Sequence, residues 1–90
     1  MINVQFVGVD MFNRPVFKEI GKRKYYGSTS HLVDYGATEE EVLNRIEPSM
    51  LEYFGIRPNC EPMGTSPSEE INIVIAGDSY VCEFESYNRY

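Results

Sequence analysis

The sequence predicts an α+β domain: an antiparallel or mixed sheet of four to five strands with one bent amphipathic helix packed on one face. Three stretches predict it. INVQFV alternates apolar and polar residues with the period of a half-buried strand. GATEEEVLNRIEPSMLEYFGI reads as a capped helix whose apolar stripe keeps its phase past a proline. INIVIAGDSYVCEF sets a Gly-Asp pair between two apolar runs, the signature of a two-residue hairpin turn.

The first strand is INVQFVGVD, with Ile2, Val4 and Phe6 on one side and Asn3 and Gln5 on the other. DMFNRP supplies turn residues. PVFKEI is then a second strand, GKRK a turn and KYYG a short third strand. Pro15 has no N–H to give a ladder, so it belongs at the start of its strand or on an edge. STSHLVDYGA is polar and irregular, a crossing loop that Leu32, Val33 and Tyr35 could pin to the core.

Thr38 is a good helix N-cap, and Glu41 three residues on completes a capping box. Glu39 and Glu40 fall in the first turn, where the helix dipole favours negative charge. Val42, Leu43, Ile46, Met50, Tyr53 and Phe54 share a stripe about 120° wide. Gly55 fits a left-handed ending, with Ile56 folded back on Leu51. Pro48 lies opposite the stripe and removes one helical hydrogen bond, so the expectation is one helix bent away from its proline face. The rival is two short helices with Pro48 as first residue of the second. RPNCEPMGTSPSEE is a long loop. With a turn at Gly77-Asp78, Ile71 would face Phe84, Ile73 would face Cys82 and Ile75 would face Tyr80, all six on one core face. The resulting ββ-α-ββ order is similar to a β-grasp arrangement.

Ninety residues make one domain, 1–90, with enough apolar content to build a modest core. No apolar run approaches the ~20 residues of a membrane span. MINVQFVGVD lacks the basic start and apolar stretch of a secretory leader. These features predict a cytoplasmic protein, in a host cytoplasm if the gene is carried by a phage. The two cysteines, Cys60 and Cys82, are too few for a disulfide-built domain and neither has metal-ligand spacing to another ligand. No catalytic residue, cofactor or metal site is expected.

The net charge is −6, unevenly placed. Residues 1–30 carry Arg14, Lys18, Lys22, Arg23 and Lys24 against Asp10 and Glu19, a net of +3; residues 31–90 carry three arginines against twelve carboxylates, a net of −9. Overall acidity argues against nucleic acid as partner. The expectation is a non-catalytic protein that binds another macromolecule: a protein partner with a basic surface, met by Glu40, Glu41, Glu47, Glu52, Glu69 and Glu70, with Tyr25 and Tyr26 as interface anchors. In size, charge and want of a catalytic cluster the chain resembles small acidic inhibitors encoded by phages and other mobile elements, which act as nucleic-acid mimics. Three alternatives stand beside this. The basic Arg14–Lys24 hairpin, with Phe17, Tyr25 and Tyr26 interleaved, suits a nucleic-acid-binding module. Cys60 with His31 is the one conceivable dyad of a small enzyme subunit. The basic hairpin of one copy meeting the acidic half of another would give a homo-oligomer.

Overall fold

The computed structural model describes residues 1–56 and 64–83. Five strands form one mixed sheet: β1 (Ile2–Val9), β2 (Pro15–Glu19), β3 (Tyr25–Gly27), β4 (Glu52–Gly55) and β5 (Ile71–Ile73), in the spatial order β4-β3-β2-β1-β5. β1, β2, β3 and β4 pair antiparallel in turn, whereas β5 lies parallel to β1 with Ile2 opposite Ile71 and Val4 opposite Ile73. The sheet curls into a half-barrel.

Its inner face carries the main core. Ile2, Val4 and Phe6 alternate inward from β1, and Phe17 and Tyr26 continue the layer across β2 and β3. A bulge between Phe6 and Gly8 shifts the register, so Val9 joins this core while Val7 turns to the other face. There Val7, Val16 and Phe54 form a second, smaller cluster, against which Tyr25 and Cys82 pack. The Phe54 ring can lie close only because residue 27 is glycine. A Cβ there would stand 2.3 Å from the Pro15 carbonyl oxygen and 2.4 Å from the Phe54 ring.

The bent helix packed on the sheet does not exist. Among the described residues there is one α-helix, α1 (Glu39–Leu43), and a separate 3-10 turn at Pro48–Met50. The capping box at its start is present: the Glu41 amide donates to Thr38 Oγ1 at 3.3 Å and the Thr38 amide to Glu41 Oε1 at 3.3 Å. The helix closes at Leu43, and the proline, acting through its neighbour, keeps helical backbone from running on towards residue 54. Pro48 excludes the residue before it from helical backbone, and Glu47 is extended at φ −108°, ψ 155°. Pro48 then stands at the start of the 3-10 turn, where its missing N–H costs nothing. Val42 and Ile46 still reach the main core. Tyr53 and Phe54, counted above on the helical stripe, belong to β4. Tyr53 pairs with Tyr26 and packs on the inner core, while Phe54 faces the second cluster.

The 71–84 hairpin is also overturned. β5 pairs with β1 instead, and Gly77–Ser79 forms a 3-10 turn. The Glu39 carboxylate holds this turn, accepting the amides of Ala76 at 2.7 Å and Gly77 at 3.0 Å. Ile71 is buried and Ile73 packs on the main core, but Ile75 is 69% exposed and Cys82 lies on the opposite face of the sheet. Phe84 falls outside the described residues. Three strands precede the five-residue helix and two follow it, in the spatial order β4-β3-β2-β1-β5, so the ββ-α-ββ order and the β-grasp comparison drawn from it fail as well. In the 28–37 loop, Val33 is buried, while Leu32 and Tyr35 are about half exposed.

Candidate functional site: an acidic groove

The start of β4 is held against the 64–70 segment by a bridge in which the Tyr53 and Thr65 backbones exchange hydrogen bonds of 2.7 and 3.0 Å. The Ile2 amide donates to the Glu70 carbonyl at 2.8 Å, which fixes the other end of the segment where it enters β5. Between these tethers lies a groove of about 370 Å³. Leu51, Ile71, Pro48 and Pro67 supply apolar lining; Glu52, Glu69 and Glu70 supply three carboxylates. Glu52 accepts from the Thr29 hydroxyl and is half-buried; Glu69 and Glu70 are exposed. Glu69 faces the N-terminal amine at 3.6 Å, a solvent-exposed pair of little strength.

The groove thus gathers three of the six acidic residues expected to meet a partner. Glu47 precedes Pro48 at its edge in sequence and is exposed. Glu40 and Glu41 do not line it. They stand exposed on α1, with Glu41 engaged in the capping box. The two tyrosines are held by the fold. Tyr26 is 4% exposed, its hydroxyl donating to Glu19 at 3.2 Å, and its ring lies 5.3 Å from that of Tyr53. Tyr25 is half-buried and donates to Glu83 at 3.0 Å.

Burial, reinforced by the Glu19 carboxylate, pushes the Tyr26 hydroxyl up to about 12. The folded state therefore holds this proton more tightly than the unfolded chain does. The stability linked to it is whole below about pH 10 and is lost as pH rises from about 10 to 12. Thermal melts of wild type and Tyr26→Phe are expected to run parallel up to pH 9. Above pH 10 the wild type should fall faster than the variant, which has no proton to lose. A constant gap between the two curves to pH 12 would contradict the assignment.

The basic hairpin is largely neutralised within the fold. Arg14 is 3% exposed and pairs with fully buried Asp10 at 2.7 Å; Lys18 pairs with Glu83 at 3.5 Å and Lys22 with Glu19 at 3.2 Å. Arg23 and Lys24 are exposed on the β2–β3 turn. Lys24 shares a hollow with Ser66, Pro67 and Ser68 of its own chain, so the basic turn and the acidic segment are neighbours in one molecule. Phe17, expected to interleave with the cations, is buried in the core.

For the enzyme alternative, Cys60 lies outside the described residues. His31 instead meets Ser28: its amide donates to Ser28 Oγ at 3.0 Å and its Nδ1 lies 3.3 Å from the same oxygen. Ser28 is 1% exposed, so this contact closes a turn within the fold. Among the described residues no group of three His, Cys, Asp or Glu side chains is placed to hold a metal ion. None of the described helices is long and apolar enough to cross a membrane.

The feature that sequence reasoning missed is the Asp10–Arg14 pair. Asp10 Oδ1 accepts the amides of Phe12 at 3.0 Å and Arg14 at 2.9 Å, while Oδ2 accepts Arg14 Nε. The available signal was an aspartate opening a turn, a position where its side chain commonly caps nearby amides. No family model, curated protein or solved structure matches the chain.

Proposed function

We propose that this is a non-catalytic binding protein that presents its acidic groove to a basic surface of a protein partner, and that it inhibits the partner by filling a site shaped for a polyanion. The observation that carries the reading is the convergence of Glu52, Glu69 and Glu70 on one groove that also offers the apolar Pro48, Leu51, Pro67 and Ile71, with Ser49 and Ser66 between them. A lysine or arginine fits both chemistries, with its methylene stem along Leu51 and Ile71 and its charged head among the carboxylates. The net charge of −6 would steer such a partner at long range. The neutralisation of Arg14, Lys18 and Lys22 by internal carboxylates weighs against the nucleic-acid-binding alternative. We place the protein in the cytoplasm, of a host cell if the gene is mobile.

The test starts with a pull-down from the source cell, followed by association kinetics on the captured partner. A Glu69→Lys, Glu70→Lys variant should stay folded, because both side chains are exposed and the Glu70 carbonyl remains to accept from Ile2. Its association rate is expected to drop on the order of tenfold, and the wild-type rate should itself fall as salt rises. An unchanged rate in the variant, with salt-independent wild-type association, would remove the acidic groove as the contact surface.

A further inference from the structure

After β5 the chain leaves β1 and returns to it at Glu83. The last bond on the outward run is Val74 N–H to the Val4 carbonyl at 2.8 Å; on return, the Glu83 amide donates to the Val7 carbonyl at 2.8 Å. The returning residues 80–83 cross from one face of the sheet to the other. Tyr80 stacks on Phe6 of the inner face, ring centroids 5.2 Å apart and planes 11° apart. Cys82 packs on the Val7, Val16 and Phe54 cluster of the outer face. Glu83 then fastens the end: its carboxylate accepts the Tyr25 hydroxyl at 3.0 Å and pairs with Lys18 at 3.5 Å.

The balance of burial across this crossing is uneven. Phe6, Val16 and Phe54, which the segment covers, are at most 2% exposed. None of the four covering residues is itself buried, and Val81 is 71% exposed. The Lys18–Glu83 pair is about one-third exposed on both sides, so water screens it. The stretch leading to the crossing contains exposed Ile75 and, at Gly77, a φ of 57° that glycine adopts readily. Solvent-exposed covering residues and water-screened tethers mark the parts of a fold that open before the rest.

We propose that residues 80–83 are a detachable strap, latched by Glu83, that opens as a unit while the sheet stays folded, uncovering the Val7–Val16–Phe54 surface and the Cys82 thiol. The proposal is independent of the acidic groove and of any partner there.

Thiol labelling of Cys82 tests it, in a Cys60→Ser background that leaves Cys82 as the sole cysteine. Labelling is measured against denaturant, alongside amide exchange of Val4 and Phe6. The strap predicts protected labelling that is faster than global unfolding allows and depends only weakly on denaturant, because little surface is exposed on opening. Glu83→Ala should speed it about tenfold, with the shallow denaturant dependence retained. Labelling with the full slope and free energy of the core amides would make 80–83 part of one cooperative unit and overturn the proposal. Labelling at the rate of an unprotected thiol would show that the strap is not closed. An unchanged rate in Glu83→Ala would remove the latch. If that variant fails to fold, Lys18→Met takes its place, and the wild-type slope decides on its own.

Discussion

Replacing Asp10 by alanine is expected to destabilise the protein by about 3–5 kcal/mol, the range for breaking a buried ion pair from one side. Asp10 is fully buried and its carboxylate is used at both oxygens: two amides of the β1–β2 turn donate to Oδ1, and the Arg14 guanidinium donates to Oδ2. Alanine removes the acceptor that these three donors share. The guanidinium, 3% exposed, is held over the Phe54 ring at 4.3 Å and the Phe12 ring at 5.1 Å, so it stays away from water in the folded chain. Against a typical total of about 5–15 kcal/mol, such a loss leaves a substantial unfolded fraction. Asp10→Asn separates the two roles of the carboxylate. Its amide oxygen can still accept the Phe12 and Arg14 amides, but the charge opposite Arg14 is gone. Urea melts should place Asn between wild type and Ala. A loss below about 1 kcal/mol for Asp10→Ala would mean that the guanidinium escapes to solvent and that the pair does not organise the turn.

The second large effect is expected at Phe54. Phe54→Ala should cost about 3–5 kcal/mol, the range for emptying a buried aromatic site. The ring, 2% exposed, is the largest member of the outer cluster, and three neighbours are shaped to it. Gly27 has no Cβ where the ring passes, Gly64 leaves similar room near its edge, and Arg14 lies on its face. None of these can move in to fill the hole, because two are glycines and the third is tied to Asp10. The Asp10→Ala, Phe54→Ala double variant should lose less than the two single losses added together, since both act on Arg14. Strict additivity in denaturant melts would show that the guanidinium–ring contact carries no energy of its own.

The elements legible in the sequence were those specified locally. Thr38 and Glu41 announce a helix start through contacts three residues apart, and that start is where the structure has it. Ile2, Val4 and Phe6 announce a strand by alternation, and all three are in the core. Reasoning failed where a distant partner or a neighbouring residue outweighed the local pattern. Met50, Tyr53 and Phe54 continue a helical phase, but the helix had closed at Leu43, the restriction Pro48 places on Glu47 bars it from resuming there, and aromatic residues are equally suited to a strand. Gly77-Asp78 fits a hairpin turn, yet Ile71 and Ile73 reach the main core by pairing with β1, Ile71 buried and Ile73 partly so. No local signal marks a parallel partner so far away. The candidate site was legible in part. Glu69 and Glu70 adjoin in sequence, but Glu52 joins them only through the Tyr53–Thr65 bridge. Arg14 was counted among surface cations because nothing in DMFNRP says that its aspartate is buried.

The pairing of the first strand with the last has a consequence for the order in which the chain can be made. Asn3 and Asn72, whose side chains bond at 3.1 Å across the β1–β5 seam, are 69 residues apart. During synthesis, at about 5–20 residues per second, β1 waits several seconds beside β2 and β3 before its second neighbour exists. In that interval one flank of β1 is bare and the main core lacks Ile71 and Ile73. A nascent chain arrested before residue 71 should therefore be loosely packed and readily digested by protease, and emergence of β5 should complete the sheet in a single late step. Refolding from denaturant faces the same closure of a long loop, which favours rates on the slow side for a chain of this length.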